Sequence, residues 1–169
     1  MQMHPHPIEG QEFRSLMRNF PGAVSIVAAG AAGDRRGLTA SAVCSLSDVP
    51  PSVIVCVNRT AGAHDLIMAG RSFSINSLCT GQERLARVFS GSAELRGEER
   101  FAEDEWSTGF TGAPVLTGAA CVLECLLYDF HTASSHTVFF GHVVSGFASA
   151  EANPLVYLRG DYAWLVRQA

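Results

Sequence analysis

The chain has 169 residues, of which 47% are hydrophobic and only 17% charged, with a formal net charge of −4. That is one domain's length, enough to bury about 70% of its unfolded surface and too apolar for a disordered chain. An acidic balance without a long basic run excludes a protein that lives on nucleic-acid phosphates, and no run of about 18 uncharged apolar residues reads as a membrane span.

Residues 1–8, with two prolines, His4 and His6, read as a flexible arm, and 9–169 as a single domain. Glu9, Glu12, Arg14 and Arg18 interrupt the first twenty residues, so no signal-peptide core is expected and the location is cytoplasmic. Phe13, Leu16, Met17 and Phe20 recur at i, i+3, i+4 and i+7. This stripe predicts a helix packed on the core and ended by Pro21-Gly22.

Residues 23–29 (AVSIVAA) predict a buried strand, 36–44 a second, and 52–57 (SVIVCV) a third beyond the Asp48-Val49-Pro50-Pro51 loop. Thr60 is positioned to cap a helix running to Gly70, with Ala63, Leu66 and Ile67 inward. Residues 72–78 alternate as a half-buried strand, and 82–89 predict another helix. Residues 91–112 are polar and irregular, and a loop of that length is functional or mobile. Two long strands follow, over 119–130 and 137–147, then a hairpin of 155–158 and 162–166 turning at Gly160-Asp161. About seven strands with two or three helices, and no βαβ rhythm, predict a mainly β protein with flanking helices around an antiparallel barrel.

Charged residues fall below the roughly 25% of typical soluble domains. Together with the two long apolar strands, this points to surface hidden in a homodimer. Five cysteines, an odd number with no C-x-x-C pair, read as reduced core thiols. The acids at 94–105 have no histidine cluster beside them, so no metal site is expected. Dinucleotide, Walker, zincin and nucleophile-elbow motifs are all missing, which leaves hydrolase and kinase chemistry unsupported.

One segment stands out, GLTASAVCSLS at 37–47. Thr39 and Ser41 share one strand face, as do Ser45 and Ser47. Such a row lines the solvent face of a sheet or, with backbone N–H groups, grips a phosphate. Arg35-Arg36 just before it read as a solvated turn or a phosphate attractant. His64 reads equally as a helix-start surface residue or a site residue, and His142 as a core or interface histidine. Trp106 and Phe110 read as packing or a lid edge.

The run GLTASAVCSLSDVPPSVIVCVN resembles the short-chain flavin reductases, the reductase components of two-component flavin-dependent monooxygenases. The likeness continues through FSINSL at 73–78, QERLA at 82–86, GAPVL at 112–116, HTVFFGHV at 136–143 and PLVY at 154–157. The resemblance implies an FMN-binding split β-barrel and hydride transfer from NADH or NADPH to FMN or FAD. It implies a homodimer that hands reduced flavin to a separate oxygenase. Matching positions place Thr39, Ala40, Ser41 and Ser47 at the flavin phosphate and ribityl. Val57, Asn58 and Arg59 follow along the ring or ribityl, with Ala63, His64, Phe89 and Ser90 nearby. His136 corresponds to a nicotinamide-side histidine, and Tyr157 and Arg159 stand where NAD(P)H approaches. The family often carries Gly-Asp where this chain has Ser134-Ser135. The alternative reading is a flavin-binding electron carrier or storage protein of the same fold.

Overall fold

The computed structural model describes residues 6–91, 94–102 and 105–165. His4, Glu103, Asp104 and Val166, all within expected features, lie outside them. In chain order the elements are α1 (Gly10–Met17), β1 (Gly22–Ala23), β2 (Ser25–Ala29), β3 (Arg36–Ala40), β4 (Val43–Asp48), β5 (Pro51–Asn58) and α2 (Gly62–Gly70). There follow β6 (Ser72–Ser77), α3 (Glu83–Phe89), a short 3-10 turn (Gly97–Phe101), β7 (Trp106–Thr108) and β8 (Pro114–Leu116). The long strands β9 (Cys121–Ala133) and β10 (His136–Ala148) precede the hairpin β11 (Leu155–Leu158) and β12 (Asp161–Trp164).

Seven strands form one antiparallel sheet in the order β3-β2-β6-β9-β10-β5-β4. Its two edge strands, β3 and β4, are consecutive in the chain. Only Ser41 and Ala42 separate them, so the sheet must curl until its edges meet, yet they share no ladder. This is a split barrel, as expected. The expected continuous strand over 36–44 is corrected: Ala40 pairs with Ser25, the first residue of β2, and β3 has no partner beyond it. The chain then crosses to the opposite edge.

Strand β2 explains its own continuous apolar run. Val27 and Ala29 face a barrel core built with Val55, Val57, Phe73, Cys125 and Phe139. Ile26 and Ala28 face a second core with Leu85, Phe89, Phe101 and Leu155, under α3 and the small β1-β11-β12 sheet. β6 is likewise buried on both faces, which corrects the half-buried reading. Its polar interior is satisfied, since the Asn76 carboxamide donates to the Ile26 carbonyl and accepts from the Leu116 N–H.

Other departures have local causes. Thr60 does not cap α2; its N–H and hydroxyl both go to the Asn58 side chain at 2.9 Å, and the helix begins one residue past Ala61. Within the 91–112 stretch the described residues are tied to the barrel, because Glu98 accepts from the Arg35 N–H at 2.6 Å and from its guanidinium at 2.7 Å. Phe101 and Trp106 then pack on Phe89. Ser134, in the two-residue β9–β10 turn, takes φ 51°, a left-handed conformation that favours glycine. The late hairpin turns at Arg159-Gly160, one residue before the expected place, with Leu158 paired to Asp161. Short strands that only pairing reveals raise the count among the described residues to twelve. The α1 stripe does not pack on the core: no residue of the helix is buried, and Phe20 beyond it is 68% exposed.

Candidate functional site

Strand β3 leads into the site because α3 lies tightly against it. A Cβ at Gly37 would stand 2.7 Å from Phe89. The Thr39 hydroxyl donates to the Ala86 carbonyl at 2.6 Å. Beyond β3, the end of α3 and the β11–β12 hairpin enclose a cavity of about 390 Å³. Thr39, Ala40, Ser41, Ser90 and Tyr157 line it, together with Arg87 and Tyr162. The hairpin register sets Tyr157 opposite Tyr162, with ring centroids 5.5 Å apart and edge-to-face. The Arg87 guanidinium stands 4.9 Å from the Tyr162 ring centroid. Burial pushes the Tyr162 phenol above its ordinary range, with Arg87 opposing.

Thr39 and Ser90 also line a second cavity of about 380 Å³, closed by Gly37, Asn58, Phe89, Arg100 and the start of α2 at Ala61-Gly62. The first N–H groups of a helix have no partner within it, and no side chain caps this one. The second cavity therefore joins hydroxyls and a carboxamide to a helix N-terminus, a donor set suited to an anion. On the opposite side of the first cavity, Ser41 and Tyr157 border a chamber walled by Arg14, Met17, Arg18 and Phe20.

Seven expected residues lie elsewhere or do not themselves line these cavities. Val57 and Ala63 are fully buried behind the second cavity. His64 is bonded to Asp65 at 2.8 Å and to the buried Thr137 hydroxyl at 3.0 Å, and packs on Phe139, which ties α2 to β10. Ser47 sits past the β3–β4 crossing, where its hydroxyl meets the Val49 backbone. The Arg59 N–H donates to the Ser135 carbonyl at the β9–β10 turn. His136 pairs across β10 with Asn58, and its Nδ1 lies 2.9 Å from the Ser135 hydroxyl. Arg159 holds φ 55° and donates its N–H to the Arg18 carbonyl at 2.7 Å, which fastens the hairpin to α1. Tyr157 and His136 thus stand at different ends of the site, and the three NAD(P)H-side residues are not gathered by one chain. Phe89, in turn, meets the second cavity with only 2% of its surface exposed.

Arg87, Tyr162 and Arg100 are the side chains that sequence reading missed. Tyr162 was available from the hairpin register, which sets it against Tyr157. Arg87 and Arg100 carried no local signal. His142 is an outer-sheet residue, stacked on Tyr128 at 4.0 Å and bonded to the Ser52 hydroxyl. Trp106 packs inward, whereas Phe110 is 80% exposed. Among the described residues no three acidic, histidine or cysteine side chains gather as a metal site.

The flavin reductase like domain model matches residues 17–165. FMN reductase (NADH) RutF of Stutzerimonas stutzeri is 33% identical over 156 residues, covering 92% of this chain and 88% of that protein. The structure of NADH:FAD oxidoreductase SgcE6 of Streptomyces globisporus C-1027 superposes with a TM-score of 0.88 at 28% identity, over 99% of both chains. BorF, the flavin reductase component of a bacterial two-component tryptophan halogenase, does so with a TM-score of 0.86 at 27% identity, over 95% of this chain and all of that one.

Proposed function

We propose, from the premise that this chain belongs to the flavin reductase like domain family, that it is an NAD(P)H-dependent flavin reductase. The observation that carries the reading is a trough of two joined cavities, aromatic at one end and rich in hydroxyls and backbone donors at the other. Their volumes fall in the roughly 300–1,000 Å³ range of cofactor sites. A flavin has the same polarity sequence, a flat ring followed by a polyol and a phosphate.

In this reading the ring lies in the first cavity beside Tyr157, Tyr162 and Arg87. The ribityl passes Thr39 and Ser90, and the phosphate meets the α2 N-terminus and Arg100. Thr39 commits its proton to Ala86, so it offers the polyol an acceptor. The hydride donor enters from the α1 chamber across Ser41 and Tyr157, with Arg14 and Arg18 toward its phosphates. When bound, the flavin accepts at N5 the hydride that the nicotinamide gives from C4. The protein's task is to hold the rings about 3–3.5 Å apart and to exclude water, which needs no nucleophile or acid–base pair.

We further infer a homodimer, with α1 laid against a second copy, and a separate oxygenase or halogenase as the consumer of reduced flavin. BorF's place in a two-component system supports the latter. Steady-state oxidation of NADH and NADPH, with FMN, FAD, riboflavin or no flavin added, tests the function. Turnover that depends on added flavin is expected. Tight flavin binding without turnover would instead indicate a carrier.

A further inference from the structure

Helix α3 carries two arginines on its solvent side, Arg84 and Arg87. Of the two, Arg87 reaches the first cavity. Among the described residues that line this cavity, Arg87 alone is charged. Its guanidinium rests over the Tyr162 ring at 4.9 Å, and Tyr157 braces Tyr162 edge-to-face from the paired strand. A cation–π contact of this kind orients a guanidinium and leaves its charge whole.

Among the described residues no carboxylate pairs with Arg87. The acids on the same two elements are turned to backbone. Glu83 accepts from the Gly81 N–H at 3.2 Å, and Asp161 from the Tyr162 N–H at 2.8 Å. The Tyr162 phenol, raised by burial against the opposing charge of Arg87, stays neutral and offsets nothing. The aromatic end of the trough therefore holds one uncompensated positive charge. A cation placed beside a flavin ring acts on the difference between its two redox states.

We propose that Arg87 sets the redox preference of the site: its unpaired guanidinium, held by Tyr162, binds anionic reduced flavin more tightly than neutral oxidised flavin. The proposal rests on the flavin reading above, which lays the ring in this cavity. In the transfer the nicotinamide C4–H bond breaks and the flavin N5–H bond forms. Two electrons and one proton pass together, so the nicotinamide becomes a cation and the ring an anion, and no other co-reactant is needed. Arg87 meets the charge that the ring gains. The attraction favours product over substrate, so it draws the transfer forward and slows the departure of reduced flavin.

The test measures dissociation constants of oxidised and of dithionite-reduced FMN by anaerobic equilibrium dialysis, and the midpoint potential of bound FMN by dye equilibration. The proteins are the wild type, Arg87→Gln, Arg87→Lys and Arg84→Gln, with circular dichroism confirming that each folds. Arg87→Gln is expected to bind reduced FMN about 5–10-fold more weakly, the scale of one charged contact at a partly exposed site. Oxidised FMN should stay within about threefold. A tenfold loss confined to the reduced state lowers the midpoint potential by about 30 mV. Arg87→Lys should keep most of the preference, and Arg84→Gln all of it. Raising salt from about 50 mM to about 500 mM should shrink the wild-type preference, since the rim is open to screening. Equal losses in both redox states would make Arg87 a mere holder of the ring and overturn the proposal. So would an unchanged potential, an equal effect of Arg84→Gln, or a wild-type preference indifferent to salt; the last needs no variant to fold. A wild-type protein that binds neither redox state would remove the flavin reading and this proposal with it, whereas binding without redox preference overturns the proposal alone.

Discussion

Thr39 shows how one hydroxyl can serve both fold and site. It lines both main cavities, yet it donates to Ala86 and so holds α3 on β3. Thr39→Val leaves the Ala86 carbonyl without that donor and should lower stability by about 1–3 kcal/mol. Flavin affinity should fall only modestly; urea unfolding and flavin titration on the same variant measure the two effects. Glu124 is a second such residue. Its carboxylate, only 6% exposed, accepts the Thr111 N–H and hydroxyl and so pins the 109–112 loop. Burial pushes the carboxyl toward weaker acidity, but hydrogen bonds from Thr111, Phe110 and Ser145 outweigh burial and hold it below the ordinary carboxylate range. A carboxyl depressed in the folded state stabilises it above the unfolded value and loses that contribution as pH falls through the folded one. Stability should therefore decline as pH falls through and below the ordinary carboxylate range, and Glu124→Gln should flatten part of that decline in chemical unfolding measured from about pH 7 to about pH 3. Cys125 beside it is pushed up to about 12 by burial and then by the Glu124 charge, and is buried, whereas Cys44 is exposed.

At the scale of elements, the site depends on how α3 and the β11–β12 hairpin meet β3. Gly37 permits that meeting, since any side chain there enters the space of the Phe89 ring. Gly37→Ala should cost about 1–3 kcal/mol by overpacking. It should also weaken flavin binding, because Arg87 and Ser90 ride on the same helix; melting temperature and flavin titration report the two losses. Most elements were legible in sequence. The AVSIVAA and SVIVCV runs, the 82–89 helix and the two long strands all formed near their expected places. The break at Ser41–Ala42 was not legible, because the residues from 36 to 44 carry strand-compatible side chains throughout. What ends β3 is the end of its partner β2, a fact of pairing rather than of composition.

For the whole molecule, the exposed α1 stripe is the main unbalanced feature. Phe13 and Leu16 are each 53% exposed, and the β9–β10 hairpin exposes Leu126, Tyr128 and Val144 as well. Exposed apolar side chains on a helix face and a hairpin are the surface that the proposed dimer would cover. Light scattering at micromolar concentration should give twice the 18.0 kDa chain mass. Phe13→Glu with Leu16→Glu should shift the protein toward monomer while retaining its circular dichroism. A wild-type protein of 18.0 kDa would overturn the dimer.

The sequence by itself determined the class of fold, the hydroxyl-bearing strand and most residues of the first cavity. Thr39, Ala40 and Ser41 are adjacent in the chain, and the apolar periods around them have few ways to be buried. Tertiary structure alone decided which distant groups complete the site. Arg87 and Tyr162 meet across a helix and a hairpin, and Arg100 joins Gly37 and Asn58 in the second cavity. It also removed Ser47 from the trough, because the crossing between sheet edges carries β4 away from β3. Local patterns record which face of an element is apolar. Which elements then share a cavity depends on strand order and register, and these are set by the packing of the whole sheet.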